Sequence, residues 1–159
     1  MNRIIMLNDD LESQMRMYLG LCTHYRIEIA ENEVALMRLI RRKRPRLLML
    51  DAHHGNFIQS GKPASRLIEK IKHKYNRLRI LTIVDGNDEH YGRSLEHCGA
   101  DGWVDRLIDC DDLLLRVEQV LASSLPFTLK VAFTPKNEAA TPMLGPSALS
   151  TRIEQRLPV

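Results

Sequence analysis

The chain has 159 residues, of which 44% are hydrophobic and 27% are charged, values typical of one ordinary globular domain with room for an extension. This composition excludes a mostly disordered chain, and no apolar run approaches the roughly 20 residues of a membrane-spanning helix. The net charge of +3 is too small to indicate nucleic-acid binding by itself. The N-terminus turns acidic too early for a secretion signal, and three irregularly spaced cysteines favour free thiols, so we expect a cytoplasmic protein.

Short apolar runs alternate with helical patterns over the first 121 residues. The predicted strands are 3–7, 26–30, 47–50, 78–84 and 103–104, and five predicted helices begin near residues 11, 33, 64, 88 and 109. Because the strands are continuously apolar, they favour a parallel sheet that is covered on both faces. Alternation of strands and helices then predicts an α/β fold: a flavodoxin-like, doubly wound, five-stranded parallel sheet.

Two of the predicted helices have apolar stripes that indicate which side faces the core. In the first helix the stripe consists of Leu11, Met15, Leu19 and Cys22. In the second, which Asn32 is expected to cap and Pro45 to stop, the apolar face consists of Val34, Ala35, Leu36, Leu39 and Ile40. We expect both stripes to be buried.

The composition changes after residue 123, so we predict a domain over 1–123 and a Pro-rich C-terminal extension over 124–159. Four apolar residues of the extension alternate with polar or small ones and predict one strand: Phe127, Leu129, Val131 and Phe133. Residues 147–157 suit a short helix. We expect the extension to mediate assembly or partner binding, because exposing these side chains would forgo burial energy; the alternative is a flexible tail. It is too short for a second DNA-binding or catalytic domain.

Two carboxylates follow strands that would be neighbours in a sheet of order 2-1-3-4-5. Asp9 follows the first strand, and Asp51 ends the third. Ligands of such sheets bind beyond the carboxyl ends of the strands, where the strand order reverses. Two carboxylates at that point are able to hold Mg²⁺, which prefers oxygen ligands, and the cation would let a phosphoryl group approach Asp51. The alternative is that both are ordinary turn and cap residues.

Three motifs within residues 1–123 resemble those of response-regulator receiver domains from two-component signalling. They are the strand and acidic pair of 3–10, the PRLLMLD run of 45–51, and the GADGWV segment of 99–104. The resemblance implies that Asp51 accepts a phosphoryl group and that Asp9 and Asp51 bind Mg²⁺. It also implies that the backbone carbonyl of His53 is the third metal ligand from the protein.

The sequence departs from the receiver pattern at positions that matter for phosphate chemistry. Asn8 replaces one carboxylate of the acidic pair, so its expected contact with a metal runs through water. Val84 stands where the family has a switch Ser or Thr, with Thr82 two residues earlier and deeper in the core. Arg106 replaces the family's Lys as the expected phosphate contact. Trp103 occupies the aromatic switch position, where it either rotates on phosphorylation or stays as a static anchor.

The resemblance implies a stand-alone signalling protein of a phosphorelay that accepts phosphate from a histidine kinase or phosphotransfer protein. It would contact a downstream partner through the fourth predicted helix, fifth strand and fifth helix, or through the extension, with a homodimer as a further option. The main alternative is a pseudo-receiver scaffold that works without phosphate. A third is a flavodoxin-like domain that binds a small anion over Asn8 and the loop after Asp51. We expect no enzyme, since common catalytic motifs are missing.

Two further motifs have an ordinary structural interpretation. The segment from Asp51 through His53 to Gly55 is faintly similar to a cobalamin-binding loop, but Asn56 stands where that motif needs glycine. His53 and His54 are adjacent, so their side chains should point apart, and we expect an exposed loop pair instead of a metal site. The basic run 41–46 could touch nucleic acid or an acidic partner, but it also suits a helix C-terminus.

Overall fold

The strands and helices of the computed structural model alternate along residues 1–123, which are the residues the structure describes. In chain order they are β1 (Arg3–Leu7), α1 (Leu11–Leu21), β2 (Arg26–Ala30), α2 (Glu33–Lys43), β3 (Leu47–Asp51), α3 (Gly55–Ser60), α4 (Ala64–Lys74), β4 (Arg79–Val84), α5 (Glu89–His97), β5 (Gly102–Asp105) and α6 (Cys110–Ala122). The predicted strand and short helix of the extension lie outside the described residues. No helix within 1–123 is both long enough and apolar enough to cross a membrane.

The five strands form one parallel sheet of order β2-β1-β3-β4-β5, which confirms the predicted flavodoxin-like topology. Every residue of β3 is buried, as expected for a central strand that is covered on both faces. Leu7 pairs with Leu50, and Asp51 pairs with Ile83. This register brings the residues just after β1, β3 and β4 together at one edge of the sheet.

Each face of the sheet packs against its own set of helices. On one face, strand residues such as Leu48 and Ile80 pack against α2, α4 and α5, represented by Leu36, Ile68 and Leu95. The other face packs against α1 and α6 in a second cluster, whose main members are Ile4, Met6, Met17, Leu21, Met49, Ile83, Leu113 and Val117. The two layers hold the strand ends in fixed positions beneath the loops.

The prediction for the buried face of α1 is wrong. Leu11, Met15 and Leu19 are 67%, 55% and 65% exposed, whereas the helix buries Ser13, Met17 and Leu21, and Cys22 is half-buried. The Asn8 side chain donates from Nδ2 to Ser13 Oγ at 2.9 Å, which draws Ser13 towards the sheet. Met17 and Leu21, four and eight positions after Ser13, share its face of the helix. The buried face of α1 is therefore rotated relative to the predicted one.

Two further expectations need correction, and one is confirmed. Of the predicted face of α2, Leu36 and Ile40 are buried as expected, but Val34 is 69% exposed, because it lies in the first turn on the solvent side. The loop after β3 contains the additional short helix α3. The predicted cap of α2 is present, since Asn32 Oδ1 accepts the Ala35 N–H at 2.9 Å.

Candidate functional site

Asp51 lies at the carboxyl end of β3 and is only 1% exposed. Its carboxylate is held from two sides. Oδ1 accepts the His53 backbone N–H at 2.9 Å and Arg106 Nη2 at 2.7 Å, while Oδ2 accepts Arg106 Nη1 at 3.3 Å. A buried carboxylate is costly unless charge and hydrogen bonds compensate it, and here both are supplied.

Arg106, which follows β5, connects several strand ends. Besides its two bonds to Asp51, it donates from Nε to Asp85 Oδ1 at 2.8 Å and approaches Asn8 Oδ1 at 3.5 Å. Partial burial lowers the pKa of the guanidinium, but the hydrogen bonds to Asp51 and Asp85 outweigh it and raise the pKa above its usual value. The same Arg106 hydrogen bond lowers the pKa of Asp85. Arg106 therefore stays charged between these carboxylates.

Asp9 reaches across from the end of β1 to the loop after β3. Its Oδ2 accepts the Gly55 backbone N–H at 2.8 Å. Partial burial raises the pKa of Asp9, but the Gly55 hydrogen bond, the electrostatic interaction with His54 and the interaction with the Asp51 carboxyl together bring the pKa below its usual value. Asp9 and Asp51 are thus close enough to interact. We call Asp9, Asp51, Asp85 and Arg106 the charged cluster.

Asn8 has a structural role that the sequence did not suggest. The side chain is buried, and besides the bond from its Nδ2 to Ser13, its Oδ1 accepts the Asp10 N–H at 3.0 Å. The amide thus sets the turn between β1 and α1, which a carboxylate with no N–H donor could not do in the same way. Its contact with a metal through water stays a prediction.

The oxygen ligands near Asp51 suit a hard cation, although the site carries less negative charge than one with three carboxylates. Asp9 and Asp51 supply carboxylate oxygens, and the resemblance adds the backbone carbonyl of His53. Since Arg106 already bonds both oxygens of Asp51, a cation would share that carboxylate with a guanidinium. These residues would therefore hold Mg²⁺, with weaker attraction than a full set of three carboxylates would provide.

The residues at the predicted switch positions belong to an apolar layer beneath the charged cluster. Val84 is fully buried, and Trp103 is half-buried against the same core. The Trp103 ring lies directly on α5, where a Cβ added to Gly92 would come within 2.6 Å of Trp103 Cγ. Thr82 is deeper and buried, as predicted, and its hydroxyl donates to the Gly102 carbonyl at 3.3 Å.

Asp85 and Asp88 were not predicted from the sequence, and the prediction for the histidine pair is wrong for the exposure of His54. Asp85 follows β4, so the same strand-end rule that singled out Asp9 and Asp51 could have found it. His54 is 3% exposed, contrary to the expected exposed pair, because its Nδ1 accepts the Asn56 N–H and caps α3. The side chains do diverge: His54 lies beside Phe57, and His53 faces Asp85 and Asp88.

No protein-family model and no curated protein matches the chain. Among solved structures, the receiver domain of NtrX from Brucella abortus is 20% identical with a TM-score of 0.67, covering 76% of this chain and 99% of that one. The N-terminal signal receiver domain of a two-component response regulator from Bacteroides fragilis is 20% identical with a TM-score of 0.68, covering 77% and 98%. In a longer NtrX structure, 19% identical with a TM-score of 0.69, 82% of this chain matches only 28% of that chain. The chain therefore has the fold of receiver domains.

Proposed function

We propose that residues 1–123 act as a receiver-like signalling module of a phosphorelay in which Asp51 accepts a phosphoryl group. The observation that carries this proposal is the environment of Asp51, a buried carboxylate at a strand end with a fixed guanidinium and the Asp9 carboxyl beside it. The shared fold adds support, because this edge of the sheet is where such folds bind their ligands.

The two oxygens of Asp51 differ in a way that favours one of them as the nucleophile. Oδ1 accepts the His53 N–H at 2.9 Å and Arg106 Nη2 at 2.7 Å, whereas Oδ2 accepts Arg106 Nη1 at the longer distance of 3.3 Å. Oδ2 would form the new bond to phosphorus while the bond from phosphorus to the donor's imidazole nitrogen breaks. The imidazole keeps that electron pair and, carrying one ring proton, departs as the neutral ring.

Positive charge near the transferred group is supplied mainly by Arg106. Its planar guanidinium is suited to bonding two phosphoryl oxygens at once, after releasing part of its contact with Asp51. Mg²⁺ held by Asp9, Asp51 and the His53 carbonyl would add positive charge against the same oxygens. The donor would be a histidine kinase or a phosphotransfer protein.

The output would be a protein–protein contact with a small conformational response. A ligand shifts a two-state equilibrium only through its different free energies for the two states, and Val84 has no hydroxyl to bond a phosphoryl oxygen. The contact surface would be α5, β5 and α6, which are the predicted fourth helix, fifth strand and fifth helix, or else the extension. The same proposal includes a cytoplasmic location and a homodimer as one form of the protein contact. It also includes no enzymatic activity towards other molecules.

A second candidate is a scaffold that binds its partner without phosphate. The specific observation in its favour is that Arg106 already bonds both oxygens of Asp51 and also Asp85, so the charges are largely compensated without a phosphoryl group. In this case Arg106 would hold the loops in one constant arrangement.

Incubation with acetyl phosphate and Mg²⁺, followed by intact mass measurement, distinguishes the two candidates. We expect one added phosphoryl group in the wild type, none in Asp51→Asn, and a reduced yield in Asp9→Asn. Asp112→Asn, an exposed change on α6, is the matched control and should behave like the wild type. If the wild type stays unmodified at every concentration of acetyl phosphate, the proposal that Asp51 accepts phosphate is wrong and the scaffold function is favoured.

Mg²⁺ binding provides an independent test of the site. We expect weak but measurable binding, followed by Trp103 fluorescence or by amide NMR signals, because two carboxylates remain where a receiver has three. Asp9→Ala should abolish most of it. Unchanged binding in that variant would contradict the assignment of Asp9.

A further inference from the structure

A second group of ligand-type side chains lies beside the charged cluster. His53 Nε2 is 3.4 Å from Asp88 Oδ2 and 4.0 Å from Asp85 Oδ2. One ligand atom from each of the three residues lies within 4.8 Å of the others. They come from two separate loops, those after β3 and β4, which the sheet register brings side by side. We call these three residues the Asp–His cluster.

The imidazole of His53 directs an unsatisfied nitrogen at the two carboxylates. Nε2 is shielded from solvent and has no hydrogen-bond partner among residues 1–123, although Asp88 Oδ2 lies 3.4 Å away. On the other side the ring packs against Tyr91, with ring centroids 5.4 Å apart. A buried nitrogen without a partner is costly, and a ligand between it and the carboxylates would remove that cost.

We propose that the Asp–His cluster binds a divalent transition-metal ion, with Zn²⁺ as the representative case. Ligands 2.0–2.2 Å from a tetrahedral zinc are about 3.3–3.6 Å from one another. The separation of His53 Nε2 and Asp88 Oδ2, 3.4 Å, already has this value, and that of His53 Nε2 and Asp85 Oδ2, 4.0 Å, is slightly longer. One imidazole nitrogen and two carboxylates leave a fourth position open for water or another ligand.

This site is separate from the Mg²⁺ site proposed above in its atoms and in its preferred ion. The Mg²⁺ site would use the backbone carbonyl of His53 with Asp9 and Asp51, whereas the Asp–His cluster uses the imidazole. A nitrogen ligand favours zinc, nickel or cobalt over magnesium, which prefers an all-oxygen set.

Asp85 also has the support expected of a metal ligand. Its Oδ2 faces His53, while its Oδ1 accepts Arg106 Nε at 2.8 Å. Such outer hydrogen bonds orient ligating carboxylates, and their loss typically lowers metal affinity by about 10–100-fold. Arg106 is therefore expected to hold Asp85 in place for the metal.

Zn²⁺ titration of the metal-free full-length chain tests the proposal, with calorimetry for affinity and ¹⁵N NMR of the histidine rings for location. We expect the His53 ring signals and the amide signals of 85–91 to shift at one equivalent. His53→Gln and Asp88→Asn should each lower the affinity at least tenfold. Mg²⁺ should leave the His53 ring nitrogens nearly unchanged.

Two controls separate this site from other zinc ligands. His97→Gln removes an exposed imidazole at the far end of α5 and should bind Zn²⁺ like the wild type. Asp9→Asn should weaken Mg²⁺ binding but not Zn²⁺ binding, so the two sites fail separately. Amide spectra of each variant establish that it is folded.

Two outcomes would overturn the proposal. One is an affinity for Zn²⁺ in folded His53→Gln that is within about threefold of the wild type. The other is a set of Zn²⁺ shifts confined to the surroundings of the three free cysteines, which would mean that thiols bind the ion. In either case the imidazole of His53 would lie near Asp85 and Asp88 without binding a metal ion.

Discussion

The charged cluster and the apolar layer directly beneath it differ sharply, although they are adjacent in the chain. Arg106 forms ion pairs with both Asp51 and Asp85, while Val84, one residue before Asp85, is fully buried among apolar side chains. Trp103 is packed onto the backbone of α5. The groups that would capture a phosphoryl group under the proposed function are largely present, whereas Val84, which would transmit its arrival, has no polar side-chain atom. In that proposal, capture and response would depend on different residues that are neighbours in the chain.

The largest expected effect comes from removing the cation of the charged cluster. Arg106→Met removes both guanidinium hydrogen bonds from the buried carboxylate of Asp51. Breaking a buried pair in this way typically costs about 3–5 kcal/mol. Urea unfolding should show that loss of stability, and adding Asp51→Asn should restore a large part of it. Arg93→Met, which removes an exposed arginine on α5, should change the stability by less than about 1 kcal/mol. A similar small effect of Arg106→Met would mean that Asp51 is not stabilised by this pair.

The next largest effect tests how tightly the apolar layer is packed. Gly92→Ala places a methyl group against Trp103 Cγ and Cβ, close to the backbone, and overpacking of this kind costs about 1–3 kcal/mol. Thermal unfolding and the Trp103 emission spectrum should both change. Ser94→Ala, at an exposed position of the same helix, is the control. Increased stability of Gly92→Ala would show that Trp103 moves away easily and is not a static anchor.

Adding a hydroxyl at position 84 should couple the apolar layer to phosphate binding at the charged cluster. Val84→Thr buries a polar group and is expected to cost about 1–3 kcal/mol in the absence of phosphate. With a beryllofluoride phosphate mimic, its amide spectrum should change over α5, β5 and α6 more than that of the wild type. Equal or larger changes in the wild type would mean that another residue already transmits the signal.

The smallest effect concerns acid pH. The pKa values of Asp9 and Asp85 are lower in the folded chain than their ordinary values, so the unfolded chain binds more protons at low pH. Their contribution to stability is complete above pH about 4–5, near the unfolded pKa, and is lost as the pH falls through the lower folded values. Both side chains are well exposed, so the effect is modest. The free energy of unfolding should differ slightly less between pH 6 and pH 3 in Asp9→Asn than in the wild type. If the pH dependence is the same in both proteins, Asp9 makes no such contribution to stability.

The sequence was sufficient for the topology but not for every side-chain orientation. Continuous apolar strands such as 47–50 need cover on both faces, which indicates a parallel sheet. In the flavodoxin-like strand order, Asp51 then lies at the carboxyl end of a strand beside the first one. The face of α1 was predicted wrongly because hydropathy gives no weight to the bond between Asn8 and Ser13. The Asp–His cluster escaped notice because it depends on where the ring of His53 points, which no spacing rule specifies.

The two oxygens of Asp85 belong to different neighbours, Arg106 on one side and His53 on the other. A cation that draws this carboxylate towards His53 alters the hold of Arg106 on Asp51, and a phosphoryl group that draws Arg106 away alters Asp85. Thermodynamic linkage requires the two influences to be equal: the factor by which one ligand changes the affinity of the other is the same in both directions. If both proposed ligands bind, one shared carboxylate would be enough to make metal binding and phosphate capture interdependent, without any movement of the sheet.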